Sequence, residues 1–311
     1  MTTSPDTHDH PTSVDVAIVG GSAAGLAAAL QLARQERSVA VVDDQTPRNL
    51  PASHLHGYLG FDGRPPADLV AAGRDDLAAY GAHLITDRVT EVDGDVESGF
   101  TVARAAGTAL TARRVLVATG LRDELPVIDG LAEHWGDTVI HCPFCHGYEH
   151  RARRHVHLAT MPASLHPAPL FRHLAEALTV VVEPSAGVDP SALDALRGSG
   201  VDVIVAPIVR VLGDDGSVRA VELADGRSID AEVVSITPEV RARVEVFRPI
   251  GLAAQPHPMG IGDHLVTDPT GQTTVAGVYA AGNVTDPSHQ LLQAAADGAR
   301  VGAMIAFDLA A

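Results

Sequence analysis

The two cysteines of this chain, Cys142 and Cys145, lie two residues apart in the segment Ile140–Glu149, which reads I-H-C-P-F-C-H-G-Y-E. A pair at this spacing can close a small disulfide and reopen it as two thiols, which is the electron-carrying chemistry of thiol oxidoreductases. A crosslink that only stabilises a fold would more usually join distant segments. The pair is therefore predicted to be redox-active.

Two other interpretations of the cysteine pair stay open at this point. Half of a zinc site is one, because several histidines lie nearby, but the chain has no second cysteine pair to complete it. The pattern Cys-x-x-Cys-His also attaches c-type haem, which goes with export. Residues 1–13 lack the apolar core of a signal peptide, and no metal site is predicted. The nearby histidines are His141, His146, His155 and His157.

Length and charge exclude some classes of function. The 311 residues carry 22 Lys plus Arg against 39 Asp plus Glu, a formal charge of -17. Such a chain repels nucleic acid, which is not an expected partner. The uncharged run from Val16 to Ala33 could span a bilayer by length, but Gly20 and Gly21 interrupt it and Arg34 follows at once. We expect a soluble cytoplasmic protein without a membrane segment.

The N-terminal third contains a dinucleotide-binding pattern in its required context. A short β-branched run is followed by a glycine-containing turn, an Ala-rich helix, a second strand and an acid. In this pattern Gly20 allows a tight turn, and the helix N-terminus faces a pyrophosphate. Asp43 would take the ribose hydroxyls, while Ser22 replaces the middle glycine. The segments are Val14–Val19, Gly20–Gly25, Ala23–Arg34, Val39–Val42 and Asp43.

The second half repeats this unit without its glycines. Val156–Thr160 is predicted as a strand, Ala168–Leu178 as a helix, and Glu183 stands 140 residues after Asp43. At the same offset Thr160, Pro162 and Leu165 replace Gly20, Ser22 and Gly25. Their side chains would block a pyrophosphate, and prolines at 162, 167 and 169 disturb the helix start.

Alternating stretches at 83–118 and 201–234 predict two small antiparallel meanders. Their turns are expected at Asp93-Gly94, Ala106-Gly107, 214–216 and Asp225-Gly226. The fold class is thus α/β, with two Rossmann-like nucleotide-binding domains that each carry a meander. The expected domains are a disordered tail (1–13), a first cofactor-binding part (14–121), an inserted module with the cysteines (122–239) and a second cofactor-binding part (240–311).

From residue 14 to 311 the chain resembles the low-molecular-weight thioredoxin reductase fold. Three motifs carry the likeness: Gly20–Gly25 with Asp43, Ala118–Gly120, and Ala281–Asn283, where the family commonly has Asp in place of Asn283. The resemblance implies FAD as cofactor. The cofactor-binding residues that it implies are Gly20, Ser22, Ala23, Gly25, Asp43, Arg48, Asn49, Ala118, Thr119, Gly120, Gly282, Asn283, His289 and Gln290.

Two departures indicate a branch of that family. His146 stands where true thioredoxin reductases have Asp, and C-P-F-C-H-G-Y-E looks like the dithiol oxidases that close gliotoxin- and holomycin-type disulfides. The absence of these glycines from the second unit is consistent with a dithiol oxidase, because an enzyme that passes electrons to oxygen needs no NADPH. The resemblance thus implies an FAD-dependent dithiol oxidase that acts on a small natural-product dithiol and produces hydrogen peroxide.

The resemblance also implies roles for the reactive residues. Cys145 would lie against the flavin, Cys142 would exchange with substrate, and His146 would act as the base, with His141 and His289 as lesser candidates for proton handling. A homodimer is expected on the same ground. An NADPH-dependent thioredoxin reductase and a non-catalytic redox-sensing flavoprotein are the alternatives.

Overall fold

The computed structural model describes residues 11–214 and 216–311. The expected disordered tail therefore lies mostly outside the described residues. Ser13, its last residue, instead begins the first strand and pairs with Thr111. The carbonyl oxygen of Thr12 accepts a hydrogen bond from the Thr111 amide at 2.9 Å, so the backbone is already tied to the sheet there.

The described residues form short strands joined by helices and turns. The strands are β1 (Ser13–Val19), β2 (Val39–Asp43), β3 (His83–Thr86), β4 (Val89–Asp95), β5 (Gly99–Arg104), β6 (Leu110–Val117), β7 (Leu121–Glu124), β8 (Val139–Ile140), β9 (Arg154–Ala159), β10 (Ala177–Val182), β11 (Asp202–Val205), β12 (Ile208–Asp214), β13 (Ser217–Leu223), β14 (Ser228–Asp230), β15 (Val233–Ile236), β16 (Glu239–Ala242), β17 (Gln255–Pro256), β18 (Asp263–His264) and β19 (Val278–Ala280). The helices are α1 (Ala23–Ala33), α2 (Pro66–Ala78), α3 (Pro143–His146), α4 (Ala168–Leu174), α5 (Pro190–Gly198) and α6 (Leu291–Asp308). Short 3-10 helices span Ala132–His134, Pro162–Leu165, Pro184–Ala186 and Glu245–Ile250.

The first sheet runs in the order β3-β2-β1-β6-β5-β4, and β19 also pairs with β6. Strands β1, β2, β3, β6 and β19 are parallel, whereas β4, β5 and β6 form an antiparallel meander. Parallel neighbours need a crossover, and α1 supplies it between β1 and β2. Buried apolar side chains cover both faces of this sheet.

The second sheet is fully parallel, in the order β11-β10-β9-β15-β8, and the meander β12-β13-β14 lies beside it. The antiparallel pair β7 and β16 lies where the chain leaves the first sheet and returns to it. The predicted fold class, two Rossmann-like sheets each with a meander, is confirmed. The domain boundaries stay a prediction.

Helix α6 packs directly on α1 because two of its residues have no side chain. A Cβ on Gly298 would lie 2.1 Å from the Ala24 carbonyl oxygen, and one on Gly302 would lie 2.7 Å from that of Ala28. Larger residues would force the helices apart. Both helices therefore begin near the same end of the first sheet.

The first meander differs from its prediction. Gly94 lies inside β4 rather than in a turn, and the chain reverses at 96–98, where Asp95 Oδ1 accepts hydrogen bonds from the amides of Glu97 and Ser98. Gly94 has φ +106°, and a Cβ there would lie 2.2 Å from the Gly99 carbonyl oxygen. Strand His83–Thr86 also extends the parallel part of the sheet, so the meander begins at β4.

The predicted helix Ala168–Leu178 is too long. It ends at Leu174, and Leu178 lies in β10 opposite His155. The amide of Glu176 donates to the carbonyl oxygen of Arg153, so the apolar residues that follow continue as a strand beside β9. Such a run has no period that distinguishes a buried strand from a helix. The predicted disturbance before the helix is confirmed by the 3-10 turn at Pro162–Leu165.

Candidate active site

Two adjoining cavities lie at the carboxyl ends of β1, β2 and β6. One has a volume of about 590 Å³ and the other about 370 Å³. Open parallel sheets bind ligands at this edge. The residues that line both cavities, and so mark where they meet, are Ser22, Pro47, Asn49, Ala52, Ala118 and Thr119.

The turn between β1 and α1 forms one wall of the larger cavity. Gly20 has φ +106°, and a Cβ there would lie 2.3 Å from the Ala118 carbonyl oxygen. Its amide donates to the carbonyl oxygen of Val42 at 2.9 Å, which holds the turn against the end of β2. A Cβ on Gly25 would lie 1.9 Å from the Gly20 carbonyl oxygen. Gly25 lines neither of these two cavities, so its contribution is close packing of α1 on the turn.

Two acids lie at the far end of the larger cavity, and each pairs with an arginine. Arg74 Nη2 lies 3.1 Å from Asp43 Oδ2, and Arg243 Nη2 lies 3.0 Å from Asp44 Oδ2. Burial alone would raise the pKa of Asp44, but hydrogen bonds from Thr46 and the charge of Arg243 hold it below its usual value. Both carboxylates are thus held in place by an arginine as acceptors for hydroxyl groups.

The residues present fit a dinucleotide. Thr119 Oγ1 and Arg74 Nε are buried and lack a hydrogen-bond partner among the described residues. Thr119 lines both cavities, and Arg74 lines the larger one. Buried polar atoms nearly always have a partner, so these two indicate a polar ligand. A glycine turn before a helix and paired acids match the phosphate and ribose groups of such a cofactor.

The smaller cavity brings the cysteines to the remaining predicted cofactor residues. Cys142 and Cys145 form a disulfide, and the Cys145 amide donates to Cys142 Sγ at 3.1 Å. Cys142 is the N-cap of the single-turn helix α3, which keeps the two sulfur atoms together. The predicted site residues on the walls of this cavity are Ser22, Ala23, Arg48, Asn49, Ala118, Thr119, Gly120, Cys142, Cys145, His146, Gly282, Asn283, His289 and Gln290.

The β19–α6 turn lies across the same cavity. A Cβ on Gly120 would lie 3.0 Å from Asn283 Oδ1, so the Asn283 side chain covers this glycine. The amide of Gly282 donates to Asp297 Oδ2 at 2.9 Å, a link from the turn to α6 that the sequence did not indicate. Gln290 is the N-cap of α6 and therefore ends at the cavity wall.

Histidines around the disulfide are held neutral. Burial lowers the pKa of His146, and His150 and His56 lower it further, against the opposing charge of Glu149. Burial and the charge of Arg48 lower the pKa of His141 to about 3. Neutral imidazole can accept a proton at neutral pH. His146 Nδ1, which is buried and without a partner in the described part of the chain, lies beside Cys145 in sequence.

Three other predicted or candidate residues have partners of their own. Arg48 forms a bidentate ion pair with Asp123, with Nε 2.9 Å from Oδ2. His141 stacks on Trp135, with ring centroids 5.5 Å apart. His289 Nε2 lies 3.6 Å from Asp286 Oδ2. Arg48 therefore reaches the cavity as half of a neutral pair rather than as a free cation.

The corresponding place in the second sheet is filled by protein. His157 on β9 is fully buried and contacts Ser235 Oγ and the Ser164 carbonyl oxygen at 2.7 and 2.6 Å. This holds the 3-10 turn at Pro162–Leu165 where the first unit has its glycine turn. The acid that corresponds to Asp43, Glu183, accepts a hydrogen bond from the amide of Ile208 at 3.0 Å.

Several residues of the two cavities and of the turns beside them are not indicated by the sequence. Arg74, Thr46, Arg243 and Asp297 come from segments without a motif of their own. Asp44, next to Asp43, also lies outside the dinucleotide-binding pattern. Arg74 is 31 positions from Asp43 and Arg243 is 199 positions from Asp44, so only the folded chain brings these partners together. Thr46 by contrast donates to Asp44 only two positions away.

Two further observations concern membrane spans and metal sites among the described residues. No helix in residues 11–214 and 216–311 is long and apolar enough to cross a membrane. Within the same residues no group of three or more His, Cys, Asp or Glu side chains is arranged to hold a metal ion.

Comparison with known proteins gives the family. A sequence profile of the pyridine nucleotide-disulphide oxidoreductases matches residues 14–299. The chain belongs to this family. It is thus an oxidoreductase, and the resemblance to the thioredoxin reductase fold is confirmed.

Three of its relatives are similar over almost their whole length. The crystal structure of an oxidoreductase from Agrobacterium tumefaciens is 37% identical, with a TM-score of 0.88 over 96% of this chain and 99% of that one. The crystal structure of HlmI is 36% identical, with a TM-score of 0.86 over 97% and 94%. Thioredoxin reductase tcpT of Claviceps purpurea is 29% identical over 87% of this chain and 86% of its own.

Proposed function

We propose that this family member is an FAD-dependent dithiol oxidase, which closes a disulfide in a small natural-product dithiol and passes the electrons to oxygen. The observation that carries the proposal is the position of Cys142 and Cys145. Their disulfide lines the same cavity as the β1–α1 and β19–α6 turns, next to a histidine that is held neutral.

The two cavities would hold FAD along their length. The ribose next to the adenine would lie at Asp43, the pyrophosphate at Gly20 and the N-terminus of α1, and the flavin ring near Gly120, Asn283 and the disulfide. When bound there, FAD would accept two electrons from the cysteine pair and pass them to oxygen, which gives hydrogen peroxide.

The chain's own residues would carry out the thiol exchange. His146 takes the proton of a substrate thiol, and the thiolate attacks Cys142 Sγ. This bond forms as the Cys142–Cys145 bond breaks, and Cys145 leaves as a thiolate. The second substrate thiol, already tethered, attacks the substrate sulfur of the mixed disulfide and gives its proton to the departing Cys142, which leaves as a thiol. The substrate loses two electrons and the cysteine pair gains them.

The second sheet supports an oxidase rather than a nicotinamide-dependent reductase. A pyrophosphate needs bare backbone and free amides at a helix N-terminus. Here the 3-10 turn at Pro162–Leu165 and the buried His157 take that place, and Glu183 is bound to a backbone amide. Several charge-assisted hydrogen bonds, each worth about 1.5–3 kcal/mol, would be missing for NADPH.

A single anaerobic experiment tests the proposal. A small dithiol is expected to bleach the flavin of the holoprotein rapidly, whereas millimolar NADH or NADPH is expected to leave it oxidised for minutes. Admission of oxygen should then restore the colour and produce one hydrogen peroxide per disulfide formed. Rapid bleaching by a nicotinamide would instead favour an NADPH-dependent thioredoxin reductase, the name that tcpT carries. No bleaching by any dithiol would leave a redox-sensing flavoprotein.

We also propose a homodimer, on family resemblance alone. Light scattering of the holoprotein tests this, and a mass near the 32.3 kDa of one chain would refute it.

A further inference from the structure

A histidine outside the cysteine motif connects the two halves of the site. His56 lies on the loop between β2 and α2, and its ring stands between two carboxylates. Its Nδ1 atom is 3.4 Å from Asp62 Oδ1, on the same loop. Its Nε2 atom is 3.5 Å from Glu149 Oε1, three residues beyond His146. His56 therefore bridges the cofactor-binding part and the disulfide segment.

The loop that carries His56 is held in shape by its own hydrogen bonds. The Leu55 amide donates to the Arg64 carbonyl oxygen at 2.8 Å, and the Gly63 amide donates to the Leu55 carbonyl oxygen at 2.9 Å. Leu55 is buried, and the Gly57 amide donates to Asp62 Oδ1 at 2.9 Å. The loop thus presents His56 in a fixed direction. Both Leu55 and His56 line the disulfide cavity.

The exposure of the His56–Glu149 contact indicates whether it stabilises the fold or acts on a neighbouring group. The Glu149 side chain is 42% exposed, and exposed ion pairs add little to the stability of a fold. A charge near a proton acceptor has a different effect, because it changes the energy of protonating that acceptor. His56 lowers the pKa of His146 while Glu149 raises it, after burial and alongside His150.

We propose that His56 is a positioning residue, which ties the loop at 54–64 to the disulfide segment through Glu149 and sets the charge around the His146 base. The charged and titratable groups that act on that base are His56 from the loop, and Glu149 and His150 from the turns after α3. His141, just before α3, is also electrostatically coupled to it. The oxygen-consumption measurement described next rests on the proposed function, whereas the alkylation and hydrogen-exchange measurements do not.

The first arm is the pH dependence of dithiol-driven oxygen consumption. His146 must be neutral to accept a proton, so the acid limb of the profile follows its pKa. His56→Gln removes a group that lowers the pKa of His146, so it should move this limb to higher pH by about half a unit, with about threefold lower rates below it. Glu149→Gln removes an anion and should move the limb to lower pH. His56→Arg puts a fixed positive charge at the same place and should keep the limb from moving to higher pH.

The second arm does not need turnover. The cysteine pair of each variant is reduced with a phosphine and alkylated with iodoacetamide over the same pH range. The two variants should depart from wild type in opposite senses, because His146 stabilises the neighbouring thiolate only when it is protonated. The alkylation rate should be higher in His56→Gln, where His146 stays protonated to higher pH, and lower in Glu149→Gln. Hydrogen exchange of residues 54–64 should be several-fold faster in both His56→Gln and Glu149→Gln.

The matched control is His173→Gln, an exposed histidine on α4, which should behave as wild type in each arm. Shifts of His56→Gln and Glu149→Gln in the same direction, or no larger than that of the control, would overturn the proposal. So would unchanged exchange of the loop. A wild-type protein that consumes no oxygen with dithiols refutes the proposed function, while alkylation and exchange still decide the role of His56.

Discussion

The Nε2 atom of His157 lies 2.6 Å from the carbonyl oxygen of Ser164 in the interior of the second sheet. A carbonyl oxygen only accepts, so Nε2 carries the proton and Nδ1 accepts from the Ser235 hydroxyl at 2.7 Å. This neutral imidazole joins β9 to the 3-10 turn that replaces a glycine turn. Burial lowers the pKa of His157 to about 4, although the bond to Ser164 opposes the shift.

Stability should therefore fall in mild acid. The unfolded chain protonates His157 below about pH 6.5, while the folded chain does so only near pH 4, so the unfolded state binds more protons between these values. Stability is complete above pH 6.5 and is lost as the pH falls, by about 3 kcal/mol for this residue. Urea unfolding of His157→Gln should lose less stability from pH 7 to pH 4 than wild type. His83→Gln, at an exposed site on β3, should follow wild type, and parallel curves for all three proteins would contradict the assignment.

The local parts of the site could be predicted from the sequence, and the distant parts could not. Gly20, Gly25 and Asp43 belong to one strand-turn-helix-strand unit, whose spacing is fixed by covalent geometry. Arg243 reaches Asp44 across 199 positions, and nothing in the local sequence of either indicates the other.

The lack of long-range information in the local sequence also explains why one predicted helix is too long and one predicted turn is wrong. The sequence predicts Leu178 in a helix, because a short apolar run has no periodicity that distinguishes a buried helix from a buried strand. Only its pairing with His155 shows that it belongs to a strand. Gly94 was assigned to a turn because Asp-Gly usually marks one. Position 94 must be glycine because a side chain there would meet the Gly99 carbonyl oxygen. This close contact depends on strand pairing and leaves no signal in the local sequence.

Gly20→Ala should abolish cofactor binding. The new Cβ would meet the Ala118 carbonyl oxygen, and φ +106° is costly for alanine, so we expect a loss of more than about 2 kcal/mol in stability. The protein should purify colourless or unfolded, whereas we expect wild type to purify yellow. Gly198→Ala is the matched control, because no atom lies within 4 Å of its added Cβ and alanine favours its helix. A yellow Gly20→Ala protein with normal FAD content would refute the cofactor cradle.

Thr119→Val should separate cofactor binding from stability. The buried Thr119 hydroxyl has no partner in the described structure, so its removal should leave the apoprotein as stable as wild type or more so. If that hydroxyl bonds FAD, the affinity should fall about fivefold, for a bond worth about 1 kcal/mol. Isothermal titration of the apoprotein with FAD measures this.

Thr273→Val provides the contrast for that experiment. Thr273 Oγ1 donates to the Val278 carbonyl oxygen and accepts from the Val275 amide, so this change should destabilise the fold by about 1–3 kcal/mol and leave FAD affinity unchanged. Equal FAD affinities of Thr119→Val and wild type would place the cofactor elsewhere.

Replacement of each cysteine by serine should give a different absorption spectrum, because the proposed roles of the two residues differ. Cys142→Ser leaves Cys145 free beside the flavin, and a long-wavelength absorption band of a thiolate next to an oxidised flavin should appear. The band should fade as the pH falls and the thiolate protonates. Cys145→Ser should lack the band and retain a thiol that alkylates rapidly, since Cys142 would be the cysteine open to substrate. Both variants should lose oxygen consumption with a dithiol, and both should keep FAD. Absorption spectra of the purified variants decide the assignment, and bands in the reverse order would exchange the roles of the two residues.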